Sequence, residues 1–506
     1  MRGAVVSLVL LAMALCVASC SLPSKEGSAV LLPVPDDPTL SFTVWLEVGS
    51  QNDPPGKEGL AWLVGRLIAE GSTTSNTYEK ILEKLYPLAS SYGVRVDKEM
   101  TTVSGRTHRD NLEAYFTLFT DAYLAPAFDE SDFERVKSDT VNFLENTLRY
   151  SSDEELGKAA LQDAIYRGTP YAHPPQGTVQ GLKSITLDDV KEFYGTWYTR
   201  DNAMVALGGG FDDALVARFE GSLEGLPEGA STPAPKPEAA PIEGRQVVLV
   251  SKPDADASIS FGFPIAVRRG EPDFYALWVA NSWLGEHRNS SSHLYQVIRE
   301  ARGMNYGDYS YIEAFPQGGR RSTPPVNVAR NNQIFEVWIR TLPNHQAQFA
   351  LRAAMRELQD LIDNGMTEEE FELTRAFLSK YVLHFAETTS ARLGYAVDDR
   401  FYGIDGEGHL ARFQQAMAKL TVDEVNAALK RHLAYDNVMI AIVTGDAEGL
   451  AEALAADAPS PMTYESKKSD EVLAEDEEIA VFPLRIGADR IETLAVETMF
   501  EGQPGS

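Results

Sequence analysis

Ile185-Thr186-Leu187-Asp188-Asp189-Val190 returns as Leu420-Thr421-Val422-Asp423-Glu424-Val425, and from 185 to 420 the offset is 235 positions. Eleven residues beyond each valine a second pair begins, Asp201-Asn202-Ala203-Met204-Val205-Ala206 and Asp436-Asn437-Val438-Met439-Ile440-Ala441, at the same offset. Upstream, Tyr166-Arg167-Gly168 pairs with Phe401-Tyr402-Gly403. Separate segments recurring at one spacing mark an internal duplication, so the chain is two copies of one structural unit. In each copy the threonine is placed to cap a helix, with acidic residues in the first turn where the helix dipole favours them. A β-branched strand follows.

Outward from these anchors, Leu40 to Val48 and Ala257 to Phe263 are rich in β-branched and aromatic residues and predict early strands. Apolar positions recur at helical spacing from Phe133 to Tyr166 and from Phe371 to Phe401, predicting helices of a middle layer. The expected fold class is α+β in two homologous halves. Between them Leu226 to Arg245 carries five prolines and no apolar period, the composition of a linker. The expected boundaries are 37–225 and 247–456 for the two units, with 20–36 as a tether and 226–246 as the linker. Residues 457–506 form an acidic extension, packed on the body or held by a partner, in which Ile479-Ala480-Val481-Phe482-Pro483-Leu484 reads as a strand.

A chain of 506 residues, 44% hydrophobic and 24% charged, is globular and too long for one core. Its formal charge of −29 disfavours nucleic acid as a partner and would attract a cationic peptide, although acidity also keeps an exported protein soluble. Export is expected: Met1-Arg2 precedes an apolar run from Ala4 to Cys16 that is too short to span a bilayer. The run ends in Val17-Ala18-Ser19-Cys20, which resembles the lipobox of bacterial lipoproteins. That resemblance implies a signal peptide over 1–19, lipidation of Cys20 and a membrane anchor. Ser21 after the cysteine implies the outer membrane, facing the periplasm. Cys16 leaves with the signal, so the mature chain forms no internal disulfide.

After the first expected strand comes Val48-Gly49-Ser50-Gln51-Asn52-Asp53-Pro54-Pro55-Gly56-Lys57-Glu58-Gly59-Leu60-Ala61. This stretch resembles the lead-in to the active-site helix of the insulinase family, which includes pitrilysin and the mitochondrial processing peptidase, and the likeness runs over roughly residues 35 to 450. The resemblance implies that each half is an antiparallel-rich sheet packed with helices, the halves facing each other across a chamber. In active members the next five residues read His-x-x-Glu-His, two zinc ligands one helical turn apart and a glutamate that polarises the bound water. Here they read Trp62-Leu63-Val64-Gly65-Arg66. Both ligand positions, Trp62 and Arg66, and the base position, Gly65, are changed. The third ligand falls near Val141, with Glu145 one turn later. Trp62 and Arg66 read either as space-fillers, the guanidinium stacking on the indole or pairing with Glu70, or as a contact for a carboxylate.

In the second half, Ser292-His293-Leu294-Tyr295-Gln296-Val297-Ile298-Arg299-Glu300-Ala301-Arg302-Gly303-Met304-Asn305-Tyr306 resembles the family segment whose arginine and tyrosine, seven residues apart, reach toward the zinc site and hold the substrate backbone. Arg299 and Tyr306 have that spacing. Their alternative reading is a solvated arginine on an amphipathic helix and a tyrosine at the start of a strand. No other site competes. The eight histidines contain no pair at i,i+3 or i,i+4, Gly208-Gly209-Gly210 reads as a strand-exit turn, and no Gly-x-Ser-x-Gly elbow is present. The expectation is a zinc-less subunit that binds peptides or unfolded segments for a His-x-x-Glu-His partner, with zinc held only in that partner. The alternative is a scaffold or binding lipoprotein on the same fold.

Overall fold

A computed structural model describes residues 29–229 and 237–502. The signal segment, Cys20, and residues 230–236 of the expected linker lie outside the described residues. The first sheet contains β1 (Ala29–Pro33), β2 (Thr39–Leu46), β3 (Ser91–Val96), β4 (Thr101–His108) and β5 (Ala203–Gly209) in the order β1-β5-β2-β4-β3. The second contains β6 (Arg245–Ser251), β7 (Ala257–Ile265), β8 (Asp308–Tyr311), β9 (Gln333–Leu342), β10 (Val438–Thr444) and β11 (Ile491–Ala495) in the order β11-β6-β10-β7-β9-β8. Without β11 the two orders are identical. In each sheet the last strand of the half inserts between the first two, parallel to one and antiparallel to the other. Every residue of these inserted strands, β5 and β10, is buried. An apolar run without alternation suits such a two-sided central position.

The repeated phrase accounts for this insertion. Thr186 Oγ1 accepts from Asp189 N at 3.3 Å, and Asp189 Oδ2 accepts from Thr186 N at 2.8 Å. Thr421 and Glu424 close the same reciprocal cap at 3.4 and 2.9 Å. The capped helices Leu187–Trp197 and Val422–His432 then deliver the chain to β5 and β10. Each cap is worth about 1 kcal/mol.

The halves are interlocked by exchange of a helix. The expected helical stretch from Phe133 divides into Glu130–Asn142, a π-helical stretch Phe143–Ser151, and Asp153–Ile165, recapped by Ser152. Asp153–Ile165 leaves its own half and packs on β6, β7, β9 and β10. Its counterpart in the second half, Thr389–Tyr402, packs on β1, β2 and β5. Gly208 permits that approach, because a Cβ there would lie 3.0 Å from Thr389 Cγ2. Gly209, at φ +121°, makes the strand exit expected of the glycine run. Helix against sheet therefore ties the two halves together. Arg330 of the second half closes it further, donating Nε and Nη2 to the buried Asp97 carboxylate at 2.5 and 3.1 Å.

Three sequence expectations are corrected. Residues 29–33, read as part of the tether, are β1, held by β5 from Ala29↔Val205 to Pro33↔Gly209. Arg245, read as linker, opens β6. The strand expected over Ile479–Leu484 is instead the end of helix Asp470–Ala480 and the turn after it, and the true strand is β11. Ser469 caps that helix, and Asp476, drawn to Arg302 at 2.7 Å, fixes its buried side. The extension packs on its own chain: β11 runs parallel to β6, and Arg352 and Arg149 bind Asp457 and Glu501.

Candidate functional site

The helix Leu60–Glu70 begins behind the loop of Gly49 to Gly59, and a side chain six residues upstream supplies its cap. Asp53 accepts from Gly59 N and Ala61 N, both at 2.7 Å. Sequence reading missed this role, though an aspartate before Pro54-Pro55 is a turn signal that could have exposed it. Helix N-termini leave such N–H groups unpaired, and here the buried carboxylate takes them.

On that helix Trp62 is half-buried, and the Arg66 guanidinium lies 5.9 Å from its ring centroid. Arg66 Nη2 also donates to Glu70 Oε2 at 2.6 Å, one turn on. Gly65 faces β3 at close range: a Cβ there would meet Val96 Cγ2 at 2.5 Å and Val94 Cγ1 at 3.0 Å. A glutamate side chain at 65 would require the Val94 and Val96 side chains to give way. Val141 is half-buried against the core of the first half, and Glu145 is paired with Lys183 at 3.1 Å. Among the described residues no group of three His, Cys, Asp or Glu side chains could hold a metal ion. The donor set at the four motif positions is indole, glycine, guanidinium and isopropyl, none of which ligates zinc.

Arg299 and Tyr306 are brought together. Arg299 lies on the π-helical turn Tyr295–Glu300, with its guanidinium 5.6 Å from the Tyr306 ring centroid and Nη1 3.8 Å from Glu300 Oε1. Tyr306 is 77% exposed and precedes β8 rather than opening it. None of the described hydrogen bonds, ion pairs or ring contacts joins this pair to Trp62 or Arg66. His293 and His409 are occupied elsewhere. His293 stacks on Trp283 at 4.3 Å and bonds Glu357, while His409 is buried among Phe274, Tyr275 and Tyr395.

The family model described as "Insulinase (Peptidase family M16)" matches residues 30–178, and "Peptidase M16 inactive domain" matches residues 184–378. The chain belongs to the M16 peptidase family. This M16 chain is 22% identical to a Bacillus subtilis protein named "Uncharacterized zinc protease YmxG", over 72% of its own length and 84% of the relative. It is 23% identical to a Helicobacter pylori protein named "Non-peptidase homolog YmxG", over 76% and 84%. Among solved structures it resembles a peptidase M16 inactive domain protein of Pseudomonas fluorescens, with a TM-score of 0.73, 21% identity, and coverage of 83% of this chain and 96% of that one. A chain of complex III2 from Candida albicans aligns with a TM-score of 0.66, 14% identity, and coverage of 82% and 93%. With its motif positions replaced, the chain is an inactive homologue of the M16 peptidases.

Proposed function

We propose that this protein is the zinc-less subunit of a paired M16 endopeptidase at the cell envelope. It binds extended peptides or unfolded segments for a partner whose helix carries an intact His-x-x-Glu-His, and zinc belongs to that partner alone. The observation that carries the reading is an asymmetry: the family's ligand and base positions are filled by Trp62, Arg66 and Gly65, while Arg299 stands assembled with an exposed Tyr306. A guanidinium and a phenol suit a peptide carbonyl that becomes an oxyanion during cleavage. Lipidation of Cys20 would hold the complex at the outer membrane, on its periplasmic face. Co-expression with each His-x-x-Glu-His relative from the same genome tests the pairing. The right partner should gain at least about 100-fold in peptide cleavage, and Arg299→Ala or Tyr306→Phe should remove most of that gain. The idea is sunk if no partner gains activity.

A second reading, a non-enzymatic scaffold lipoprotein, is favoured by the likeness to a chain of complex III2, since fold alone does not fix function. There, the Arg299 and Tyr306 substitutions would leave assembly and phenotype unchanged.

A further inference from the structure

Arg302 lies three residues after Arg299, and its side chain is shut from solvent. A buried guanidinium is costly unless it is paired. Both of its ion-pair partners come from the extension helix Asp470–Ala480: Nε donates to Asp476 Oδ1 and Nη2 to Glu475 Oε2, each at 2.7 Å. The third nitrogen, Nη1, turns back and donates to Val297 O at 2.8 Å, inside the π-helical turn that carries Arg299. One side chain thus joins that turn to the extension.

Other ties run the same way. Lys468 Nζ donates to Ala301 O at 2.9 Å. Upstream of the turn, His293 bonds Glu357 Oε2 at 2.6 Å, and Arg356 Nη1 donates to the other oxygen of that carboxylate at 2.7 Å and to Glu475 Oε1 at 3.2 Å. Arg356 Nη2 reaches Glu478 Oε2 at 3.0 Å. Asp476 is itself fixed, because Tyr464 OH donates to its Oδ2 at 2.7 Å. On the Tyr306 side, Asn305 Nδ2 donates to Asp308 Oδ1 at 2.6 Å and to Arg340 O at 3.2 Å, which pins the turn to β8 and β9. The far end of the extension is fastened to the first half, where Arg149 Nε donates to Met499 O and Nη2 to Glu501 Oε2, both at 2.9 Å.

We propose that the extension is a brace that sets the reach of Arg299, with Arg302, Glu475 and Asp476 as positioning residues for the substrate contact. The inference rests on the peptide-binding reading of Arg299 and Tyr306 and gives the extension its part in that site. A planar guanidinium held by two carboxylates fixes direction as well as charge, because its donors form a rigid fork. A displacement of about 1 Å in a group that holds substrate costs about 100-fold in rate. The acidity of the extension then has a local use: it supplies the counter-charge that holds the turn in place.

Peptide cleavage by the reconstituted pair, run as a double-mutant cycle on the full mature chain, tests this. Asp476→Asn should lower kcat/KM about 10-fold in the wild-type background and leave the residual activity of Arg299→Ala unchanged, because the brace acts through that arginine. Losses that add overturn the proposal, since a chain that is only destabilised loses the same factor in either background. Arg302→Lys keeps the charge without the fork and should match Asp476→Asn, and wild-type activity in it overturns the proposal. Hydrogen exchange needs no partner: Asp476→Asn should speed amide exchange about 10-fold across residues 295–303 and leave the helix Leu187–Trp197 unchanged. Uniform acceleration, or none, overturns the brace. If no partner gains activity, the peptide-binding reading falls and exchange alone decides whether the extension holds the turn. If Asp476→Asn does not fold, Tyr464→Phe, which removes one hydroxyl from the same carboxylate, takes its place in both measurements.

Discussion

The two sheets have the same strand order, yet their edges differ. β8 is buried at all four residues, and the face beside it is filled by Tyr309, Tyr311, Phe315 and Trp338, with Lys158 from the other half 3.9 Å from the Trp338 ring centroid. Its counterpart β3 is exposed at alternate positions and faces open space. At the opposite edge, β6 is covered by β11, whereas among the described residues β1 pairs only with β5. Duplication preserved the hydrogen-bonding plan while side chains closed one half and left the other open. An exposed sheet edge is a liability unless another chain uses it. The difference therefore separates a half whose sheet edges are covered from a half whose edges stay open.

This comparison depends on the join being strong enough to let one half stay open, and the largest expected effect lies there. Arg330→Ala leaves the Asp97 carboxylate buried without its counter-charge and should cost about 3–5 kcal/mol, read as a drop in thermal midpoint. A loss below about 1 kcal/mol would mean that the exchanged helices alone carry the join.

Next in size is the cost of closing the second half over a carboxylate. Burial pushes Glu286 from 4.5 up to about 7, and its Oε2 has no hydrogen-bond partner. A folded-state value above the unfolded one favours the protonated form, so there is no penalty below pH 4.5 and the full penalty above about pH 7. Glu286→Gln should stabilise the protein by about 2 kcal/mol at pH 8 and by almost nothing at pH 4. Denaturant midpoints at both pH values check it, and an equal shift at both would refute the assignment.

A smaller contrast tests the two faces directly. Lys158→Ala removes the ammonium from the aromatic cluster and should cost about 1–2 kcal/mol. Arg95→Gln on the open face should change stability by no more than about 0.5 kcal/mol. If the two losses match, the open and closed faces are not energetically distinct.

What the sequence revealed follows the same division. Local signals read well: the threonine caps and the strands after them each lie within a few residues. The helix exchange was not readable, because Asp153–Ile165 and Thr389–Tyr402 are amphipathic toward whichever sheet they meet, and periodicity does not say which half supplies it. Ile479–Leu484 misled because an apolar run of six suits either a strand or a buried helix end, and only the distant Arg302 decided between them. Gly65 looked like a simple loss until Val94 and Val96 were seen to occupy the space beside it.

A last test asks whether the duplicated phrase still does equal work in halves that have otherwise diverged. Thr186→Ala and Thr421→Ala each remove a hydroxyl that accepts from the third residue of its helix and leave the partner acid at Asp189 or Glu424 half-engaged. Both caps are exposed, and each helix leads to a fully buried central strand. Each substitution should therefore cost about 1 kcal/mol. Distant sites with no shared partners add, so the double variant should lose about 2 kcal/mol. Chemical denaturation of the three variants measures this. Unequal single losses would show that the asymmetry of the two halves extends to the repeated segment itself, while equal losses would confine it to the sheet edges.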